Sequence, residues 1–283
     1  MFIPFCIMSI LWYIIFFVLW ACFWSFGGVL LQRLENFGVR GLKDVVFGRS
    51  KCDHTGKTLR WFELIPIVSY LLQKGKSRHT GELLTKDYLW LEIGSGLIFV
   101  ITSLFTQTND LHILTYHLIF NWLLFLLAWY DMKHQFLHTP IWAIALVWQA
   151  LMGVQYIEQS IIWSILFGLV FGIIWLFARW YAKVHYKQNE WFGSGDVLLA
   201  FVLWATIPNI FAIYGIPFSA QTLVGALVGF LCISSILWLI YALICYIISR
   251  TRVVFIPFLP AMILAYWILL YQGEMLLRFV LGN

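Results

Sequence analysis

Charged residues are scarce in this chain: Asp, Glu, Lys and Arg make up 11% of its 283 residues, while 62% are hydrophobic. Soluble domains carry about 25% charged and roughly 45–50% apolar residues. A surface this poor in charge would not stay dissolved, which excludes a soluble globular enzyme. Disorder is excluded as well, because aromatic residues alone reach 19%. Cysteine is equally sparse. Of five, Cys6, Cys22, Cys232 and Cys245 lie in apolar runs, where a thiol behaves as a small hydrophobe, and only Cys52 sits in a polar loop. No disulfide framework can be built from that set. Alternating polar and apolar strands are missing too, since the apolar runs are continuous, so a β-barrel is not expected. What remains is an all-α polytopic membrane protein with a mean hydropathy of +0.87.

The gaps between charges count the spans. Uncharged windows run over residues 1–32, 93–109, 111–130, 134–157, 159–178, 197–249 and 253–273. A helix needs about 20 apolar residues to cross roughly 30 Å of hydrocarbon. The window 197–249 must therefore hold two spans, with Pro208, Gly215, Pro217, Ser219 and Gln221 marking the break. The window 93–109 is the shortest and extends backwards over residues 88–92. Eight transmembrane helices are predicted. Residues 1–31 carry no charge and run too long for a cleaved signal peptide, so they read as a retained first helix.

Basic residues give the orientation. With eight spans, one side receives residues 33–88, 131–138, 179–196 and 249–256, which hold 11, 1, 3 and 2 of the 18 Lys and Arg. The other side keeps Arg278 with Asp110, Glu158 and Glu274. Positive residues stay cytoplasmic, which places both termini outside. The expected layout is a first helix at 1–32, a larger cytoplasmic loop domain at 33–88, and a seven-helix membrane domain at 89–283. The net charge of +5 reads as topology plus attraction to anionic lipid headgroups of the bilayer. It does not read as a nucleic-acid surface, because the basic residues are spread over four loops.

Two polar features stand out. In the loop 33–88, Cys52-Asp53-His54-Thr55 and Ser77-Arg78-His79-Thr80 flank a hydrophobic stretch around Pro66. This is the layout of a zinc ribbon, whose tetrahedral site takes four soft ligands. Here the ligand positions are Cys52, Thr55, Ser77 and Thr80, and one thiol with three hydroxyls cannot hold zinc tightly. A rescue through His54 and His79 is the alternative to a polar loop held by its own packing, and the loop is the favoured reading.

The second feature is a pair of boundary carboxylates. Asp131 ends the third span, and Asp196 opens the sixth in Gly193-Ser194-Gly195-Asp196. An ionisable group at membrane depth is costly and is retained for function. Two carboxylates brought together can share one proton, so that one acts as base on a water while the other polarises a scissile carbonyl. That is aspartic-protease chemistry. Gly193 and Gly195 would let an extended substrate backbone come close to Asp196, as no side chain intervenes. The bland alternative is a helix cap, which suits Asp196 at an N-terminus but opposes the helix dipole at Asp131. His112 and His117 read as interfacial residues, and the 16 Trp and 13 Tyr as an aromatic belt. His134 and His138, four apart just past Asp131, read as loop residues facing solvent, the alternative being that they tune the proton affinity of Asp131.

At these residues the chain resembles the bacterial type IV prepilin leader peptidases, membrane aspartic proteases of the GxGD class. The resemblance rests on Gly193-Ser194-Gly195-Asp196 and on Asp131, which follows Ala128 and precedes His134. Trp61, Ile65, Pro66, Ser69, Gly75, Arg78, His79 and Gly81 match the family's N-terminal cytoplasmic domain. Ser25-Phe26 with Arg33-Leu34, the run from Tyr88 to Glu92 with Gly96-Leu97, and Ile256-Pro257-Phe258 with Pro260 match its helix boundaries. Departures are the missing zinc thiols, Leu198 where a lysine is usual, and Leu137-His138-Thr139 in place of Leu-Pro-Asp.

The resemblance implies a peptidase that needs no cofactor, with Asp131 and Asp196 catalytic and Gly193 and Gly195 at the substrate approach, while the missing thiols of this chain tell against zinc. Its implied substrates are type IV prepilins or pseudopilins, cut at the cytoplasmic boundary of the inner membrane. Many family members also methylate the new N-terminus with S-adenosylmethionine, and loss of the zinc thiols tells against that half. Two other classes fit the same composition: a proton-coupled transporter using the two aspartates, and a family member that binds prepilins without cutting them. No internal repeat supports the transporter.

Overall fold

The computed structural model describes residues 55–65, 67–78, 80–84, 86–106, 110–152, 157–186, 194–208, 219–249 and 257–281, with positions 14, 17, 27, 30, 31, 48, 49 and 211 besides. Cys6, Cys22, Cys52, His54, Pro66, His79 and Gly193 lie outside the described residues. Regular structure among the described residues is helical. A 3-10 turn at Trp61–Leu64 precedes α1 (Val68–Leu72), α2 (Lys86–Thr106), α3 (Leu111–His134) and α4 (Thr139–Met152). There follow α5 (Ile157–Tyr186), α6 (Ser194–Ala205), α7 (Ala220–Ser249) and α8 (Leu259–Leu281). No strand occurs among these residues, only an antiparallel bridge between Lys76 and Leu83.

Four helices, α2, α3, α5 and α7, are long and apolar enough to cross a bilayer, and α4, α6 and α8 carry shorter apolar stretches. The protein is an α-helical membrane protein. Helices are the form an apolar chain must take in lipid, because each backbone N–H and C=O then finds a partner within its own segment. The uncharged window 197–249 contains two helices, α6 and α7, as its central Pro and Gly residues predict.

The chain divides into two units, residues 1–126 and 127–283. In the first, the loop preceding α2 folds on itself. The Ile67 N–H donates to Glu92 Oε2 on α2 at 2.6 Å, holding Ile67 at a φ of 61°. The Arg78 guanidinium lies 5.4 Å from the centre of the Phe62 ring. Gly75 takes a φ of +68° against the Tyr70 hydroxyl, a conformation and a space that suit glycine. Further along, Asn121 Nδ2 donates to Thr102 Oγ1 at 3.0 Å and ties α3 to α2. His117 is buried, with the Tyr116 ring edge-on at 4.9 Å. His112, by contrast, is exposed.

In the second unit α6 is the central element, with seven of its 12 residues buried. It packs along α5 and touches α4 and α8, while α7 packs along α8. Trp204 of α6 stacks on Phe167 of α5 at 3.6 Å and meets the edge of Phe230 of α7 at 5.6 Å. The outward residues of α5, among them Ile161, Leu169, Ile173, Leu176 and Phe177, are exposed and apolar, as a lipid-facing helix requires.

Candidate active site

Both sequence-predicted aspartates belong to the second unit and both are buried, Asp131 at 6% exposure and Asp196 at 7%. Asp131 lies in the last turn of α3, whose end is closed by the Gln135 N–H donating to the Asp131 carbonyl at 2.8 Å. Gln135 adopts a φ of 60°, the left-handed conformation that terminates helices. Lys133 and His134 suit the negative end of the α3 dipole, but Asp131 opposes it. The Oδ2 atom of Asp131 is buried without a hydrogen-bond partner. A buried carboxylate oxygen left unsatisfied costs stability, so neither capping nor packing accounts for this side chain.

Asp196 is the third residue of α6, where free backbone N–H groups and the positive dipole end favour an anion. Gly195, just before it, lies against the segment that follows Asp131. A Cβ added at Gly195 would stand 2.8 Å from the Leu137 Cβ and 3.4 Å from the Leu137 nitrogen. The close neighbour that the bare Cα admits here is therefore the chain's own α3–α4 connection.

Two side chains of α4 hold α6 in place. Trp142 Nε1 donates to the Leu198 carbonyl at 2.7 Å, and Gln149 Nε2 donates to the Ala205 carbonyl at 2.8 Å. Trp142 and Gln149 escaped the sequence reading. Gln149 had a visible signal, as an amide inside an uncharged window.

His138 corrects the sequence expectation. It does not face solvent but is 4% exposed, with its ring edge-on to Tyr130 at 4.6 Å. The connection 135–138 folds back onto α3 and encloses it. His134 does remain exposed, stacked on Tyr130 at 4.4 Å.

The zinc-ribbon positions that are described do not suit a metal. Thr55 Oγ1 accepts from the Lys57 N–H at 3.4 Å and Thr80 Oγ1 from the Glu82 N–H at 3.3 Å. Ser77 is buried in a turn closed by its N–H donating to the Glu82 carbonyl and by the Gly81 N–H donating to its own carbonyl, each at 2.7 Å. The threonine hydroxyls are engaged with backbone, and alcohol oxygens are poor zinc ligands in any case. Among the described residues no group of three or more His, Cys, Asp or Glu could hold a metal ion.

The model of the bacterial peptidase A24 N-terminal domain matches residues 18–106. A prepilin leader peptidase/N-methyltransferase of Dichelobacter nodosus is 26% identical over 161 residues, 55% of this chain and 54% of that protein. One from Vibrio cholerae is 27% identical over 199 residues, 68% of this chain and 76% of its own length. A type 4 prepilin-like proteins leader peptide-processing enzyme of Escherichia coli O78:H11 is 26% identical over 200 residues, 66% of this chain and 72% of the relative. These matches support the type IV prepilin peptidase family. The match spans about half the length of the Dichelobacter protein. No solved structure matches the chain.

Proposed function

We propose that this chain is a membrane aspartic endopeptidase that removes the short basic leader from type IV prepilins or pseudopilins. The reading rests above all on Asp131, a buried carboxylate with an unsatisfied oxygen in the helix turn that leads into the connection packed on Gly195. In the proposed topology eight helices span the inner membrane with both termini outside. The layout is a first helix at 1–32, a cytoplasmic domain at 33–88 and seven helices over 89–283. Asp131 and Asp196 then stand at the cytoplasmic boundary, where a basic leader meets the hydrophobic helix of its substrate. Gly193 and Gly195 border that approach.

In the proposed mechanism one carboxylate takes a proton from water as the water oxygen attacks the scissile carbonyl carbon. The other, protonated, hydrogen-bonds the carbonyl oxygen. Collapse of the tetrahedral species breaks the C–N bond, and a carboxyl proton passes to the departing amine. Coupled carboxylates titrate as a pair, so either aspartate can serve in either role. No metal takes part. N-methylation of the new N-terminus would need S-adenosylmethionine, and the relatives' names extend that possibility to this chain without the zinc thiols.

The test is co-expression with a prepilin and mass spectrometry of the pilin N-terminus. Loss of the leader is the expected result, and the mass of the new terminus reports methylation in the same spectrum. An intact leader overturns the reading. Zinc independence is tested separately: the purified protein should keep its melting temperature and its cleavage rate through chelation and dialysis. A fall in either that added zinc reverses would show a metal site in the loop.

A further inference from the structure

His138 lies in the α3–α4 connection, next to Leu137, the residue that meets Gly195. Its backbone carbonyl accepts from the Trp142 N–H at 3.1 Å, and its Nδ1 accepts from the Ile141 N–H at 3.3 Å. It is thus the N-cap of α4, doing with an imidazole nitrogen what Ser, Asp or Asn does with oxygen at most helix starts. The accepting Nδ1 carries no hydrogen, so the ring proton sits on Nε2.

On the Asp131 side, the connection 135–138 is folded around Tyr130, the residue just before Asp131. Tyr130 is buried and meets His134 face-on at 4.4 Å, Phe136 edge-on at 5.4 Å and His138 edge-on at 4.6 Å. On the Asp196 side, Leu137 touches Gly195, and α4 reaches α6 through Trp142, one turn beyond His138, and the Leu198 carbonyl. Each of these two links begins in the segment of residues 137–142, which follows shortly after the end of α3.

We infer that His138 is a positioning residue for the aspartate pair: by capping α4 while packed on Tyr130, it sets where α6 and Asp196 stand relative to Asp131. This rests on the aspartic-peptidase reading above.

The experiment compares His138→Ala, His138→Gln and His138→Asn in detergent-solubilised enzyme acting on a purified prepilin, with Asp131→Asn and Asp196→Asn as controls. Ala has no acceptor, and Gln has one displaced by a methylene. Asn places Oδ1 where an N-cap acceptor is needed. Ala and Gln should lower kcat by about tenfold to a hundredfold with KM little changed, while Asn stays within about threefold of the parent. A role in folding alone would scale with melting temperature and would not spare KM. Unchanged kcat in the Ala and Gln variants overturns the inference, as does an Asn variant as slow as Ala. Should Ala fail to accumulate, the contrast between Gln and Asn still decides. If the two Asp→Asn controls cleave normally, the aspartic-peptidase reading itself fails.

Discussion

Replacing Asp131 or Asp196 singly with Asn is expected to abolish leader removal while leaving the protein folded. Positioned acid–base groups contribute about 10²–10⁴-fold to rate, and two that share a proton act as a unit, so each single substitution should cost at least that much. The stability arm is more diagnostic. The buried Oδ2 of Asp131 lacks a hydrogen-bond partner, so this carboxylate weakens the fold that holds it. Asn is nearly the same size and uncharged. The melting temperature of the Asp131→Asn protein in detergent should therefore equal or exceed the parent's, with activity gone. Lost activity joined to retained or raised stability marks a residue kept for chemistry. A variant that still cleaves sinks the assignment of Asp131. A variant that melts well below the parent makes Asp131 a structural residue instead.

Much of this arrangement was legible because charge is so costly in lipid. Each uncharged window had to be helix, and the helices α2 to α8 fall on the windows from 93–109 onward. Asp131 and Asp196 were visible for the same reason, as acids at span edges with no cap or ion pair to explain both. Hidden from the sequence was everything decided by how one helix lies against another. The α3–α4 connection mixes Gln135 and His138 with Phe136 and Leu137, and His138 and Leu137 are buried where that segment returns onto Tyr130. Trp142 reaches the Leu198 carbonyl from a helix 56 residues earlier, a relation that no local pattern announces. In the loop domain, the spacing of Thr55, Ser77 and Thr80 pointed to a lost metal site. The contacts within that segment could be read only from coordinates: Arg78 over Phe62, and the Ser77–Glu82 turn.

Gly195 gives the second large effect, and its test separates packing from chemistry. Adding one methyl as Gly195→Ala brings a Cβ to 2.8 Å from the Leu137 Cβ, closer than carbon atoms pack without something moving. The clashing atom is a Cβ fixed to the backbone, not the end of a flexible chain, so relief must come from the start of α6 or from the connection 135–138. Either shift changes the placement of Asp196 relative to Asp131. Overpacking of this kind costs about 1–3 kcal/mol of stability, and a displacement on the order of 1 Å at reacting groups can cost about 10²-fold in rate. Gly195→Ala should thus lower kcat far more than its modest loss in melting temperature suggests. The second arm uses Leu137. Leu137→Ala keeps the offending Cβ and should not rescue Gly195→Ala, whereas Leu137→Gly removes it. In the double-substitution cycle, Leu137→Gly with Gly195→Ala should lose less activity than the two single losses combined, and Leu137→Ala with Gly195→Ala should not. Equal coupling in both cycles would mean that the glycine serves an approaching substrate and that the α3–α4 connection does not align the aspartates, and a fully active Gly195→Ala enzyme would mean that the glycine is needed for neither.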